Sequence, residues 1–492
     1  MTGLLMSLLV SLSLWAKTYG GPGYDLANSV TQTSDGGCAV AGVTQSFGAG
    51  GSDFLVIRLN PDGSVAWAET YGGTGGDAAY SIIQTSDGGF AVAGSTGFGA
   101  GGSDFLIIKL NPNGSVAWAK TYGGTGTDVP QSIIQTTDGG YAIAGYSSLG
   151  AGNYDFLVLR LNTDGSLAWA KTFGSANYEL AYSITQTSDG GYAIAGDDYN
   201  DVIVLKLDSD GGFSWAKAIG IPGYLMTEYA RSITATPDGG CVVAGHRIDA
   251  SSENYWDVLM LKLDASGGLS WFKTFGTGVL DYMGYSIVRT SDGGFAVAGQ
   301  GQNNTFMLLK TNASGTLSWA RGLPRDASYP PHSVAQTTDG GFVVAVYRWN
   351  SASSTDFLVF KVDANGNYPG CVLDCNLVTA NPGFNMSSPS GLGTPSLLSS
   401  DPELITSSPT LTITDYCDPL YEDIGEIGSG PRPGITCSLV PGGALFLSNN
   451  EMPLRIYASD GRLIYSGKLM KGQNRISLET GVYLWRAGTY KG

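Results

Sequence analysis

The sequence predicts an all-β chain whose main body is a seven-bladed β-propeller, and three observations predict it. Asp-Gly-Gly recurs at Asp35, Asp87, Asp138, Asp189, Asp238, Asp292 and Asp339, at intervals of 52, 51, 51, 49, 54 and 47 residues. Each copy carries four short apolar or alternating runs, and four strands at a period of roughly 50 residues make a propeller blade rather than a helical solenoid. The third observation is a displaced strand. The fourth run of the first six units carries Trp67, Trp118, Trp169, Trp215, Trp271 or Trp319, whereas the seventh unit ends in "DANGNYPGC" without one. Its counterpart, "LWAKTYG" with Trp15, stands before the first unit. Three C-terminal strands and one N-terminal strand would complete a single blade, close the circle and leave no exposed sheet edge at the seam.

Composition agrees. The 492 residues include 73 Gly and only 14% charged residues, as expected of many short strands joined by tight turns. A net charge of -16 argues against a phosphate-binding surface, so nucleic acid is not an expected partner. No run of about 18 apolar residues is present, so no helical transmembrane span is expected.

Taken in order, the chain opens on the apolar run "LLMSLLVSLSLW", Leu4 to Trp15, and residues 1–13 read as a signal peptide cleaved after Ser13. The alternative is a start site placed inside a longer leader. The repeat supports the cleavage point: the residue two before Trp is apolar in six copies, Val65, Val116, Leu167, Phe213, Leu269 and Leu317, but is Ser13 in the first.

Residues 14–370 form the propeller. Each blade reads as two hairpins in series, because Asp-Gly and Asn-Gly in "SDGG", "TDGG", "NPDG" and "NTDG" supply the positive φ that tight turns require. These turns resemble the start of a calcium loop, yet they lack its ligand spacing and closing Glu. The spacing in "DGSVAW" is similar to the tryptophan-docking repeat of the quinoprotein dehydrogenase propellers, a resemblance that implies a blade-holding role and no cofactor.

One acidic residue precedes each first strand: Asp25, Asp77, Asp128, Glu179, Glu228, Asp281 and Asp326. Two readings stand. They ring the channel mouth and attract a cation, calcium being the candidate, or each accepts hydrogen bonds from its own Gly-rich loop. Catalytic equipment is sparse: the only histidines are His246 and His332, and there is no G-x-S-x-G elbow, P-loop or H-E-x-x-H motif. The sequence nominates no catalytic residue and no other cofactor.

The loops between the second and third strands, and those between blades, emerge on one face, and they are what varies. They carry Phe47, Phe98, Tyr154, Tyr199, Tyr224, Tyr255, Trp256, Tyr282, Tyr329 and Trp349, with Asp197, Asp198 and Glu253 nearby. Aromatic rings beside carboxylates suit carbohydrate or peptide. The fifth unit's "HRIDASSENYWD" is the foremost candidate, so Tyr255, Trp256, Glu253, Tyr224 and Trp349 are the expected ligand contacts.

Residues 371–437 are a Cys-bracketed, Ser/Thr/Pro-rich segment, with Pro382, Pro389, Pro395, Pro402 and Pro409 six or seven apart. An extended spacer is expected, its Leu and Ile residues allowing it to lie along the propeller. Cys371, Cys375, Cys417 and Cys437 suggest two disulfides in an exported protein, with zinc as the weaker alternative. Cys38 and Cys241 read as buried thiols.

Residues 438–492 contain "LRIYASDGRLIYSG" (454–467), "GQNRISL" and "GVYLWRAG" (481–488). This run resembles the type A C-terminal sorting domain of the type IX secretion system, though the Asn-Pro opening is absent and Pro441 is the nearest proline. The resemblance implies Sec export, recognition by that secretion machinery, and a place outside a Gram-negative cell or on its outer surface. The function expected is a surface or secreted binding or adhesion module for carbohydrate or protein. A secreted polysaccharide hydrolase or lyase, and a structural surface component, are the alternatives.

Overall fold

In a computed structural model, the chain is all-β, with seven antiparallel sheets of the kind the repeat predicts. The structure describes residues 14–368 except 100, 151–152, 176, 221–227, 250–254, 278–279, 302–304, 323–331 and 352–353; beyond 368 it describes the backbone of strands alone. The first strands, from Asp25–Gln32 round to Ser333–Gln336, contact one another in sequence and form the inner ring. The tryptophan strands lie outermost of the four.

The seventh blade is completed from the N-terminus. Trp15–Gly20 pairs antiparallel with Ser354–Val362, in a register that sets Trp15 opposite Lys361 and Tyr19 opposite Phe357. Each blade then docks on the next through its outer strand. The ring of Trp15 lies where a Cβ on Gly63 would stand, and the same holds for Trp67 on Gly114, Trp118 on Gly165 and onward to Trp319 on Gly366. Those glycines have positive φ, 75° at Gly63 and 87° at Gly114, so each is required both by the turn and by the indole above it. Trp15 Nε1 donates to Pro61 O at 2.9 Å, and Tyr19 OH donates to Gly63 O at 2.6 Å.

The inner ring has its own clasp. The hydroxyl of a first-strand serine accepts the backbone N–H of the next blade: Ser29 from Ile82 at 3.1 Å, Ser183 from Ile233 at 3.1 Å, and, across the seam, Ser333 from Val30 at 3.0 Å. Between clasp and indole the blade faces are apolar; Val40, Leu55, Ile57 and Phe357 are fully buried in one such layer.

The Asp-Gly-Gly turns are architectural. Asp87 Oδ1 accepts from Thr85 Oγ1 at 2.5 Å and Gly89 N at 3.0 Å, and its carboxylate meets Lys109 Nζ at 2.9 Å. A basic residue of the third strand repeats this pairing at Asp35, Asp138, Asp189, Asp238, Asp292 and Asp339. The lysine partner holds the Asp87 carboxyl down to about 2 against the cost of burial.

Residues 372–416 belong to the propeller unit. They run backward around it as short fifth strands: 373–374 on the sixth blade, 378–380 on the fifth, 385–387 on the fourth, 398–400 on the second, 405–407 on the first and 412–415 on the seventh. The segment expected as a spacer is thus a strap that covers sheet edges. The other unit includes residues 417–492 and has two three-stranded sheets, 435–440, 443–448 and 472–477, and 463–469, 452–458 and 483–487.

Candidate functional site

The acidic residues before the first strands lie inside the blade junctions. Asp25, Asp77 and Asp128 are fully buried, and Glu179 and Glu228 nearly so. Asp25 Oδ2 accepts Gly21 N at 2.7 Å, Asp77 Oδ2 accepts Gly73 N at 2.8 Å, and Asp128 Oδ2 accepts Gly124 N at 2.7 Å. Each fastens the loop that enters its own strand, because those amides have no ladder partner. Asp281 is exposed and accepts Trp256 N at 3.0 Å; Asp326 lies outside the described residues.

A second carboxylate meets the first at these junctions. Asp53 Oδ1 and Asp77 Oδ2 lie 2.1 and 2.7 Å from the point a Cβ on Gly72 would occupy, and Asp104 and Asp128 crowd Gly123 in the same way. Burial raises the Asp53 carboxyl, and the Asp77 charge raises it further. Among the described residues, no three His, Cys, Asp or Glu side chains converge as ion ligands.

Of the five ligand contacts expected from sequence, the structure describes the side chains of Tyr255 and Trp256. Trp256 is half-buried, its ring 5.7 Å from Tyr229 and 5.2 Å from His246; Tyr255 is half-buried beside it. Trp349 pairs with Thr355 in its strand, and its side chain lies outside the described residues, as do Tyr224 and Glu253.

Two clusters emerge on the loop face instead. One is a run of tyrosines across the junction of the third and fourth blades. Ring centroids are 5.3 Å apart for Tyr146 and Tyr154, 5.8 Å for Tyr154 and Tyr178, and 5.4 Å for Tyr178 and Tyr199. Tyr178 and Tyr199 are 38% and 42% exposed. The run is fixed from below: Tyr154 and Tyr178 form a backbone bridge, and Glu179 N donates to Tyr154 O at 2.8 Å. Tyr199 is the sole non-glycine residue of positive φ among the described residues, at 69°. Asp198 Oδ1 holds that turn by accepting Asn200 N at 3.0 Å and Asp201 N at 2.8 Å. A bulky residue in the left-handed region stores strain, which such sites retain where a ring must be aimed.

The other cluster lines the axis. In six blades the first strand has a bulge, so that Asn28, Tyr80, Gln131, Tyr182, Arg231 or Tyr285 is skipped in the pairing with the second strand. A bulge re-aims its side chain. His332 is the counterpart in the seventh blade. All seven are half-buried. They form a ring in which every member differs from its neighbours, set between a small residue and the clasp serine. His246 is 5.4 Å from Tyr285, and His332 stacks on Tyr347 at 5.6 Å. Burial lowers His246 to about 3 and His332 to about 4, so both are neutral near pH 7.

Residues 33–65, 85–116 and 136–167 match the sequence profile of a β-propeller domain of unknown function, DUF5122. Each match runs from the Thr before Asp-Gly-Gly to the start of the tryptophan strand. No curated protein matches the chain in sequence. Similar solved structures include a protein of unknown function from Bacteroides caccae, 12% identical over 63% of this chain and 93% of that one, with a TM-score of 0.36. Sqt1 of Chaetomium thermophilum, bound to the N-terminus of ribosomal protein L10, is 11% identical over 70% of this chain and 98% of its own, TM-score 0.43. The BP39L lectin of Burkholderia pseudomallei is 10% identical over 70% and 97%, TM-score 0.39.

Proposed function

We propose that this chain is an exported propeller that binds carbohydrate on its loop face, at the cell surface or in the surrounding medium. One observation carries the reading: the Tyr146, Tyr154, Tyr178 and Tyr199 rings form a continuous, partly exposed run pinned by backbone contacts. Aromatic faces take the C–H faces of sugar rings, and their phenols offer hydrogen bonds at the edge. A rigid platform loses little entropy on binding. Export rests on the apolar leader and on the resemblance of residues 454–488 to a sorting domain, which would be read by the secretion machinery.

A glycan array probed with the full chain tests this. Saturable binding that falls about tenfold or more in both Tyr178→Ala and Tyr199→Ala is expected, with unchanged melting temperature. Binding that survives both substitutions would move the ligand elsewhere. Release of reducing ends from a bound polysaccharide would favour the hydrolase or lyase reading, and self-association without glycan binding the structural one.

A further inference from the structure

Two charged side chains near the axis, Arg231 of the ring and Asp197 beside it, carry buried polar atoms without a hydrogen-bond partner. Arg231 projects at the bulge of the fifth blade, its guanidinium 4.5 Å from the centre of the Tyr182 ring and 5.2 Å from that of Tyr229. Its Nε is buried and has no hydrogen-bond partner. Asp197, on the second strand of the fourth blade, is fully buried, and neither carboxylate oxygen has a partner. Burial raises the Asp197 carboxyl to about 7, with the nearby Arg231 charge pulling the other way. The two groups share a neighbourhood and do not pair.

A buried guanidinium N–H and a buried carboxyl group left without partners have given up water and gained nothing in return. We propose that this end of the lumen is a second binding site, built for an acidic sugar, with Arg231 clamping the sugar carboxylate and Asp197 accepting from a ring hydroxyl. The planar fork of arginine matches a carboxylate, and rings on both sides of it hold its plane fixed. Tyr285 and Trp256, joined through His246, continue the aromatic wall on which the sugar ring would lie.

The pair of groups decides the ligand class. A neutral sugar would satisfy Asp197 and leave the arginine charge unmet. Sulfate would satisfy the arginine and bring Asp197 no donor, and phosphate would bring more negative charge against Asp197 than a single carboxylate does. An acidic sugar supplies both an anion and hydroxyl donors. The histidines add no positive charge here, so Arg231 alone sets the preference. The site shares no ring with the run from Tyr154 to Tyr199 and stands whether or not that run binds glycan.

The test is calorimetric titration of the full chain with free glucuronate, galacturonate, mannuronate and N-acetylneuraminate, each compared with its amide and with inorganic phosphate. At least one acid should bind saturably, its amide and phosphate about tenfold or more weaker. Arg231→Met should abolish that preference, and Arg231→Lys, which keeps charge without the fork, should weaken binding while still melting as wild type. Tyr178→Ala should leave acid-sugar affinity within about twofold, which separates this site from the tyrosine run. Absence of binding by all four acids, equal binding of acid and amide, or wild-type affinity in both arginine variants would overturn the proposal.

Discussion

Replacing Tyr19 by Phe should destabilise the propeller as much as the same change at Tyr71, although one lies in the displaced N-terminal strand and the other within a blade continuous in sequence. Both side chains are almost wholly buried, and both hydroxyls donate to a turn carbonyl of the next blade, Gly63 O at 2.6 Å and Gly114 O at 2.5 Å. Burial pushes the Tyr71 phenol far above its ordinary value, so that bond is not titrated in any usable buffer. Removing the hydroxyl loses a bond worth about 1 kcal/mol net and strands a buried carbonyl, for a total of about 2 kcal/mol. The residues belong to different junctions, so the double variant should cost about 4 kcal/mol, additive to within about 0.5 kcal/mol. Equilibrium urea unfolding, followed by tryptophan fluorescence, reads all three midpoints. If Tyr19→Phe shifts the midpoint by less than a quarter of the Tyr71→Phe shift, the N-terminal strand does not close the ring and the reasoning fails.

Three further outcomes follow. Asp197→Asn should flatten the pH dependence of stability. The folded carboxyl titrates at about 7 rather than near 3.8, so its protonated form favours the folded state, and stability present below pH 4 is lost as pH rises through 7. Between pH 5 and pH 8 the loss is at most about 3 kcal/mol in wild type and should vanish in the variant, as read by urea midpoints at those two values. Tyr199→Gly removes a side chain held at φ 69°, so the melting temperature should stay level or rise while glycan binding falls; a marked fall in melting temperature would show that the ring is structural. Truncation after Tyr368 removes the strap, and the outer-strand amides within Thr70–Gly72, the stretch that pairs with 405–407, should exchange with deuterium about tenfold faster or more. Unchanged exchange there would mean that the strap does not pair.

Much of the fold could be read from residues. The seven Asp-Gly-Gly turns need positive φ, and the seven tryptophans need a glycine turn to lie on, so both leave marks that survive loop variation. The missing tryptophan strand of the seventh unit, set against the orphan at residues 14–20, sufficed to predict closure. The candidate site was less legible. A single-residue bulge does not disturb an alternating pattern enough to be seen, so the axial ring went unread. Its trace is a variable residue before a constant serine, as in "ANSV", "AYSI" and "ARSI". Tyr178 carries no mark in the sequence, because rigidity at the third and fourth blades comes from backbone bridges that spacing does not reveal. The acidic residues fit either the channel mouth or their own loops by spacing alone; Asp25, Asp77, Asp128 and Glu179 each accept an amide of the loop that enters their strand. Their neighbours Asp53 and Asp104 stand in the sequence only as the first residue of an apolar strand. The proline period of about seven in the tail likewise had no meaning until the step from blade to blade was known.

Repeated residues build the propeller, and we propose that the loop face, which differs from blade to blade, does the binding. Hydrogen–deuterium exchange of the full chain, with and without a saturating glycan selected on the array, tests it most directly. Protection confined to peptides spanning Tyr154, Tyr178 and Tyr199, with the Asp-Gly-Gly turns unchanged, is the result predicted. Protection centred on those turns, or no change on the loop face at saturation, would contradict it.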